Sequence, residues 1–112
     1  MCNIASARDI TLFLEYAKKL VSEGRYDFVP RGKNLQSLSE HGLTVLDAKE
    51  EILDLKVANY YKGPKQDFTR PGLVWEFKKD INGSIFYVKI KIVNVNGQDI
   101  LRCIGFHDDE YA

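Results

Sequence analysis

An α+β fold, with N-terminal helices packed on a C-terminal antiparallel sheet, is predicted from three observations. Apolar residues recur at helical spacing through the first half of the chain. Towards the end they alternate with polar residues at period two, and two Asn-Gly dipeptides punctuate that alternation. At 112 residues the chain suits one core, so residues 1–112 are expected to form a single domain.

The first helix is carried by Ile10, Phe13, Leu14, Ala17, Leu20 and Val21, with Ser6 or Asp9 as N-cap and Gly24 to end it. Tyr26 to Pro30 is short, aromatic and β-branched, which predicts a brief strand or extended link. Asn34 is expected to cap a second, short helix bearing Leu35 and Leu38 and ending at Gly42. Thr44 and Asp47 resemble a capping box for a third helix, whose buried stripe is Ala48, Ile52, Leu53 and Leu55.

Between Tyr60 and Gly72, the prolines Pro64 and Pro71 and the glycines Gly63 and Gly72 predict a substantial loop. Leu73 to Lys79, Ile85 to Val95 and Ile100 to His107 then form an antiparallel meander, joined by type I′ turns at Asn82-Gly83 and Asn96-Gly97. Alternation puts Trp75, Phe77, Phe86, Val88 and Ile90 on the core face, and Glu76, Tyr87 and Lys89 on the other. A core Phe106 turns His107 outward to join them. Leu101 and Cys103 share the parity of His107, so a helix is expected to cover part of that second face.

Composition narrows the function classes. Hydrophobic residues are 45% and charged residues 29%, as in ordinary globular domains. No apolar run approaches the ~20 residues that span a bilayer. The N-terminus carries no secretory pattern, and a cytoplasmic protein with no membrane partner is expected. Cys2 and Cys103 have no metal or disulfide spacing; Cys103 suits a small buried hydrophobe, and Cys2 is incidental. His41 and His107 are not spaced as ligands either, so neither a metal nor another cofactor is expected. Net charge is zero, yet residues 60–102 hold eight bases against four acids, an excess of +4. That excess fits either a solvated sheet face or a surface for phosphates.

The segments Tyr60-Tyr61-Lys62, Trp75-Glu76, Tyr87-Val88-Lys89 and Phe106-His107 are similar, in order and spacing, to the MqsR toxins. Ala17-Lys18-Lys19-Leu20-Val21, Gly24 and Gly42-Leu43 extend the likeness over nearly the whole chain. The resemblance implies a RelE-like fold, cleavage of messenger RNA without a metal, and neutralisation by a cognate antitoxin protein. It also implies active residues at Lys62 and Tyr87. Glu76 stands where the family pattern has glutamine, and His107 where it has lysine.

RNA carries its own nucleophile, so cleavage needs a base for the 2′-hydroxyl, cations for the crowded phosphate and an acid for the 5′-oxygen. The expected roles are His107 as general acid, Glu76 or Tyr87 as base or positioner, and Lys62 and Lys89 as phosphate clamps. Arg70 is expected to reach the RNA backbone, and Tyr61 or Phe68 to stack on a base. Plainer readings stand beside these: a cross-strand ion pair for Glu76, a solvated histidine near Asp108, Asp109 and Glu110, a half-buried sheet aromatic for Tyr87, and a helix-terminal His41. The competing function is a noncatalytic binding module, such as a mobile-element regulator or inhibitor, on the same fold.

Overall fold

The computed structural model describes residues 4–108. They form three α-helices and a five-stranded mixed sheet. The helices are α1 (Ala7–Ser22), α2 (Gly32–Glu40) and α3 (Val45–Leu53). The strands are β1 (Tyr26–Phe28), β2 (Tyr60–Gln66), β3 (Leu73–Ile81), β4 (Ser84–Val95) and β5 (Gln98–Asp108), in spatial order β1-β5-β4-β3-β2. The predicted α+β class therefore stands. Strands β2 to β5 are antiparallel neighbours, and β1 adds in parallel to β5. Cys2 lies outside the described residues, as do Asp109 and Glu110.

Local chemistry explains most of the boundaries. The Ser6 hydroxyl accepts from the Asp9 amide at 3.1 Å at the start of α1, and Gly24 follows the helix at φ 82°. At α3 the capping box is complete, with Thr44 and Asp47 exchanging bonds of 2.8 and 3.0 Å. Both hairpin turns have two central residues at positive φ, 53° and 91° at Asn82-Gly83 and 53° and 83° at Asn96-Gly97, as type I′ geometry requires.

Asn34 does not cap α2. Arg31 holds the N-cap position, and Asn34 sits one turn inside, fully buried. Its amide donates to the Val29 and Ile104 carbonyls at 3.1 and 3.2 Å and accepts from the Phe106 amide at 3.0 Å. Ser37 Oγ accepts from the Asp108 amide at 3.2 Å. Side chains of α2 thus satisfy the edge of β5 beyond the point where β1 stops, where bare backbone groups would otherwise seek a partner.

The segment expected to be a loop from Tyr60 is a strand as far as Gln66. Two register shifts accommodate it, one between Tyr60 and Lys62 and one between Lys62 and Lys65. An irregular edge strand tolerates the proline that a central strand would reject. Gly63 is required there: it has φ 116°, and a Cβ on it would stand 2.6 Å from the Val74 carbonyl oxygen.

Helices α1 and α3 supply most of the helical side of the core, while α2 runs along the β5 edge and adds Leu38 to it. Ile10, Leu14, Ala17, Leu20 and Val21 of α1, Leu38 of α2, and Ala48 and Ile52 of α3 pack against Phe77, Phe86, Val88, Ile90, Leu101, Cys103 and Phe106. Trp75 stacks on Phe13 at 4.2 Å and belongs to this packing. Cys103 is buried as expected, and burial pushes its thiol up to about 12, which makes it inert at neutral pH. The opposite face carries the charged residues.

A basic sheet face around Glu76

Strand register builds the second face in rows. Glu76 pairs with Lys89, which pairs with Gly105; two residues along, Lys78 pairs with Tyr87, which pairs with His107. In the other direction Val74, Lys91 and Arg102 form the next row, and Arg102 adjoins Asp27 of β1. On β2, Lys62 lies beside Glu76 and Lys65 beside Val74. Glu76, Tyr87, Lys89 and His107 thus share one side of the sheet, as their alternation predicted, and Lys62, expected in a loop, joins them from β2.

The parity conflict on β5 is resolved by a bulge rather than by a covering helix. Lys89 pairs with Gly105 and Ile90 with Cys103, which leaves Ile104 as an extra residue. Leu101 and Cys103 face the core before it, and Phe106 faces the core after it, opposite Val88. One inserted residue changes the phase of a period-two pattern, so His107 reaches the second face despite its numbering.

The expected outward exposure of His107 is nonetheless corrected: its side chain is on the second face yet fully buried. Tyr87 stands edge-on to it with ring centroids 6.0 Å apart, and α2 closes the β5 edge beside it. Its Nδ1 lies 3.2 Å from the Asp108 carbonyl oxygen, while Nε2 is buried with no hydrogen-bond partner among the described residues. Burial holds its pKa below the ordinary histidine value, and the positive charges of Lys33, Lys89 and Arg31 push the same way against that carbonyl contact. The imidazole is therefore neutral at pH 7.

Glu76 is also buried, with only 4% of its side chain exposed. A carboxylate in that position needs compensation, and three lysines supply it. Lys65 is ion-paired with Oε2, Lys62 stands 4.0 Å from the same oxygen, and Lys89 stands 3.9 Å from Oε1. The pairing raises the Lys65 pKa. All three lysines keep exposed side-chain surface, so the cluster presents an excess of positive charge to solvent. Gly105 makes room for it: a Cβ there would meet Lys89 Cβ, Cγ and Cδ at 3.2 Å.

Beside the lysines is an aromatic pair. Tyr61, the extra residue of the first β2 irregularity, stacks on Tyr87 with centroids 5.9 Å apart and planes inclined by 13°. Lys78 Nζ lies 4.0 Å from the Tyr61 ring and 5.0 Å from the Tyr87 ring, and Lys62 Nζ lies 5.1 Å from Tyr61. Tyr61 is 43% exposed. A stacked pair flanked by ammonium groups offers a base a π-surface and a phosphate its counter-charge.

Arg70 is not brought to this cluster. It lies in the loop from Asp67 to Gly72, with its amide 3.3 Å from Asp67 Oδ1, and it lines a neighbouring pocket. Phe68 is 95% exposed in the same loop. Lys91, part of the basic pattern, is withdrawn from the surface: it is 1% exposed and ion-paired with Asp67 at 2.6 Å, which holds that carboxyl well below the usual carboxylate range. His41 is the C-cap of α2, as its position beside Gly42 suggested, and its Nε2 lies 2.6 Å from Asp108.

Sequence reasoning missed Lys65 and Lys78 as members of the site. Lys78 shares the parity of Glu76 and was accessible to it; Lys65 depends on an irregularity that no periodicity signals. Among the described residues no group of three or more His, Cys, Asp or Glu side chains could hold a metal ion, and no helix is long and apolar enough to cross a membrane. The chain matches no protein-family model and no curated protein.

Proposed function

We propose that this chain is a metal-independent endoribonuclease that cuts messenger RNA, a RelE-like toxin of the MqsR class neutralised in the cytoplasm by a cognate antitoxin. The observation that carries this reading is the set of lysines 62, 65 and 89 around buried Glu76, beside the Tyr61–Tyr87 stack, on the second sheet face. Such a surface suits a single strand, whose bases stack while its phosphates meet cations. The resemblance at Tyr60-Tyr61-Lys62 and Tyr87-Val88-Lys89 adds the reaction class.

In this reading the RNA 2′-oxygen attacks the adjacent phosphorus and the bond to the 5′-oxygen breaks, leaving a 2′,3′-cyclic phosphate and a 5′-hydroxyl. Lys62 and Lys89 bind the nonbridging oxygens as charge builds, and an ammonium proton from this pair is transferred to the leaving oxygen. Tyr87 orients the phosphate and its attacking hydroxyl. Glu76 holds the lysines at their spacing and is the nearest carboxylate for the hydroxyl proton. His107 is reassigned: a buried, neutral imidazole has neither the reach nor the proton of a general acid, and it acts as a positioning residue that fixes the Tyr87 ring.

The test is incubation of purified protein with a mixed RNA transcript in EDTA, with end-group analysis of the products. Cleavage leaving 2′,3′-cyclic phosphate ends is expected, and Lys62→Ala should slow single-turnover cutting by about 10²-fold while staying folded. Intact RNA beside active controls would end the enzymatic reading. A specific observation favours a second one, a noncatalytic binding module, regulator or inhibitor: Glu76, the proposed proton acceptor, is buried, and so is the imidazole of His107. RNA bound with micromolar or tighter affinity but never cut would establish it.

A further inference from the structure

A second cavity, of about 560 Å³, opens on the same sheet face between the β1–α2 link and the loop from Asp67 to Gly72. Its charged groups are not equivalent. Asp27 is matched by Arg102 at 2.8 Å and Asp67 by Lys91 at 2.6 Å. Arg31 and Arg70 also line it, both exposed, and neither makes an ion pair among the described residues. Arg31 makes only a long contact of 3.4 Å to the Ile104 carbonyl. Each acid is already neutralised, so two guanidiniums remain for a ligand.

Val29, Pro30 and Ile104 supply the apolar part of the lining, and Thr69 stands with the charged residues. Two uncommitted guanidiniums and an apolar wall suit a phosphate with its attached base, because Arg grips phosphate bidentately and stacks on planar rings. The loop that carries Arg70 is held in place. Asp67 Oδ1 accepts from the Thr69 amide, the Thr69 hydroxyl and the Arg70 amide, while its other oxygen grips Lys91. Ile104 is the residue extruded by the β5 bulge, and Lys91 is two residues from Lys89 on the same face of β4. At ~3.3 Å per residue, Lys91 at the cavity lies roughly 7 Å along β4 from Lys89 of the Glu76 cluster.

We infer that this cavity is a nucleotide subsite, in which Arg31 and Arg70 take the phosphate of a residue neighbouring the cleaved bond and the Val29–Ile104 wall takes its base. The inference rests on the ribonuclease reading for the polymer it serves, and on the cavity itself for the phosphate and base.

Binding is measured with a single-stranded RNA made noncleavable by 2′-O-methylation, with adenosine 5′-monophosphate and with inorganic phosphate, by anisotropy and amide chemical shifts. RNA and the mononucleotide are expected to shift the Thr69, Arg70 and Ile104 amides, and inorganic phosphate to do so more weakly. The double variant Arg31→Ala/Arg70→Ala is expected to lose about 10-fold in RNA affinity and to lower the salt slope by ~0.7 for each phosphate contact removed. Cleavage of unmodified RNA below saturation should fall in step with that loss of affinity. Both side chains are exposed, so an unchanged melting temperature is expected to accompany these losses. RNA that binds and is cut, with Lys62→Ala harmful but the double variant harmless and the amides unmoved, overturns the subsite and leaves the ribonuclease reading in place. A mononucleotide that shifts these amides in a protein that neither binds nor cuts RNA supports the subsite while removing the ribonuclease reading. Shifts produced only by an acidic peptide, and by none of the three phosphate probes, overturn it in favour of a protein partner.

Discussion

At the scale of single residues, burial decides what the acid–base groups of this site can do. His107 loses hydration without gaining a partner for Nε2, so its protonated form is disfavoured in the folded protein. The folded pKa lies below the unfolded value of ~6.5, which means the unfolded chain takes up the proton first as pH falls. The stabilisation linked to this group is complete above ~6.5 and is lost as pH falls through the lower, folded pKa. Melting temperature should therefore drop between pH 7 and pH 5 in wild type, and His107→Gln should flatten that part of the profile even though it melts lower throughout. Parallel profiles for the two proteins would show that His107 titrates as it does in water. The same burial was illegible in the sequence: alternation put His107 on the correct face, but its exposure depends on Tyr87 across the strand and on α2 seventy residues earlier. Glu76 and Lys89, by contrast, were placed together by parity alone, since both lie in regular stretches of β3 and β4.

At the scale of elements, irregularities make the site, and irregularities are what a periodic reading cannot see. The helices, both I′ turns and the β3–β4–β5 meander follow from capping residues, Asn-Gly dipeptides and alternation. The β5 bulge and the two β2 shifts carry no such signal, yet they bring Gly105 under Lys89, and Tyr61 and Lys65 onto the lysine-rich face. Gly105 is a direct test of that geometry. A methyl group there meets three carbons of Lys89, including Cβ, which sits too close to the backbone to swing aside. Gly105→Ala should displace the Lys89 ammonium from Glu76 and lower RNA cleavage by roughly 10- to 100-fold, because an ångström of misplacement is costly at a reacting phosphate. In a Lys89→Ala background the same substitution should add almost nothing, since the group it disturbs is gone. Additive losses in that cycle would mean Gly105 acts through the backbone and not through Lys89.

At the scale of the whole molecule, zero net charge conceals a division between two sides. The three helices are close to balance, with Arg8, Lys18, Lys19, Lys33 and Lys49 against Asp9, Glu15, Glu40, Asp47, Glu50 and Glu51, while the opposite sheet face carries Lys62, Lys65, Lys78 and Lys89 with Arg31 and Arg70 at its margin. At physiological ionic strength a charge is screened over ~8 Å, so a phosphate on the sheet face feels the lysines and little of the acids behind the core. The overall balance therefore does not oppose the proposed binding of RNA, which this reading assigns to the local excess. Three or four engaged phosphates imply a slope of roughly −2 to −3 in log affinity against log salt. Anisotropy titrations with noncleavable RNA between ~50 and ~200 mM salt should return that slope. Lys89→Gln should reduce it by about 0.7, one phosphate contact on a single strand. Glu15→Gln changes net charge by the same magnitude on the helical side, and it should leave the slope unaltered. If the two variants moved the slope equally, binding would follow total charge, and the sheet face would lose its claim to the RNA.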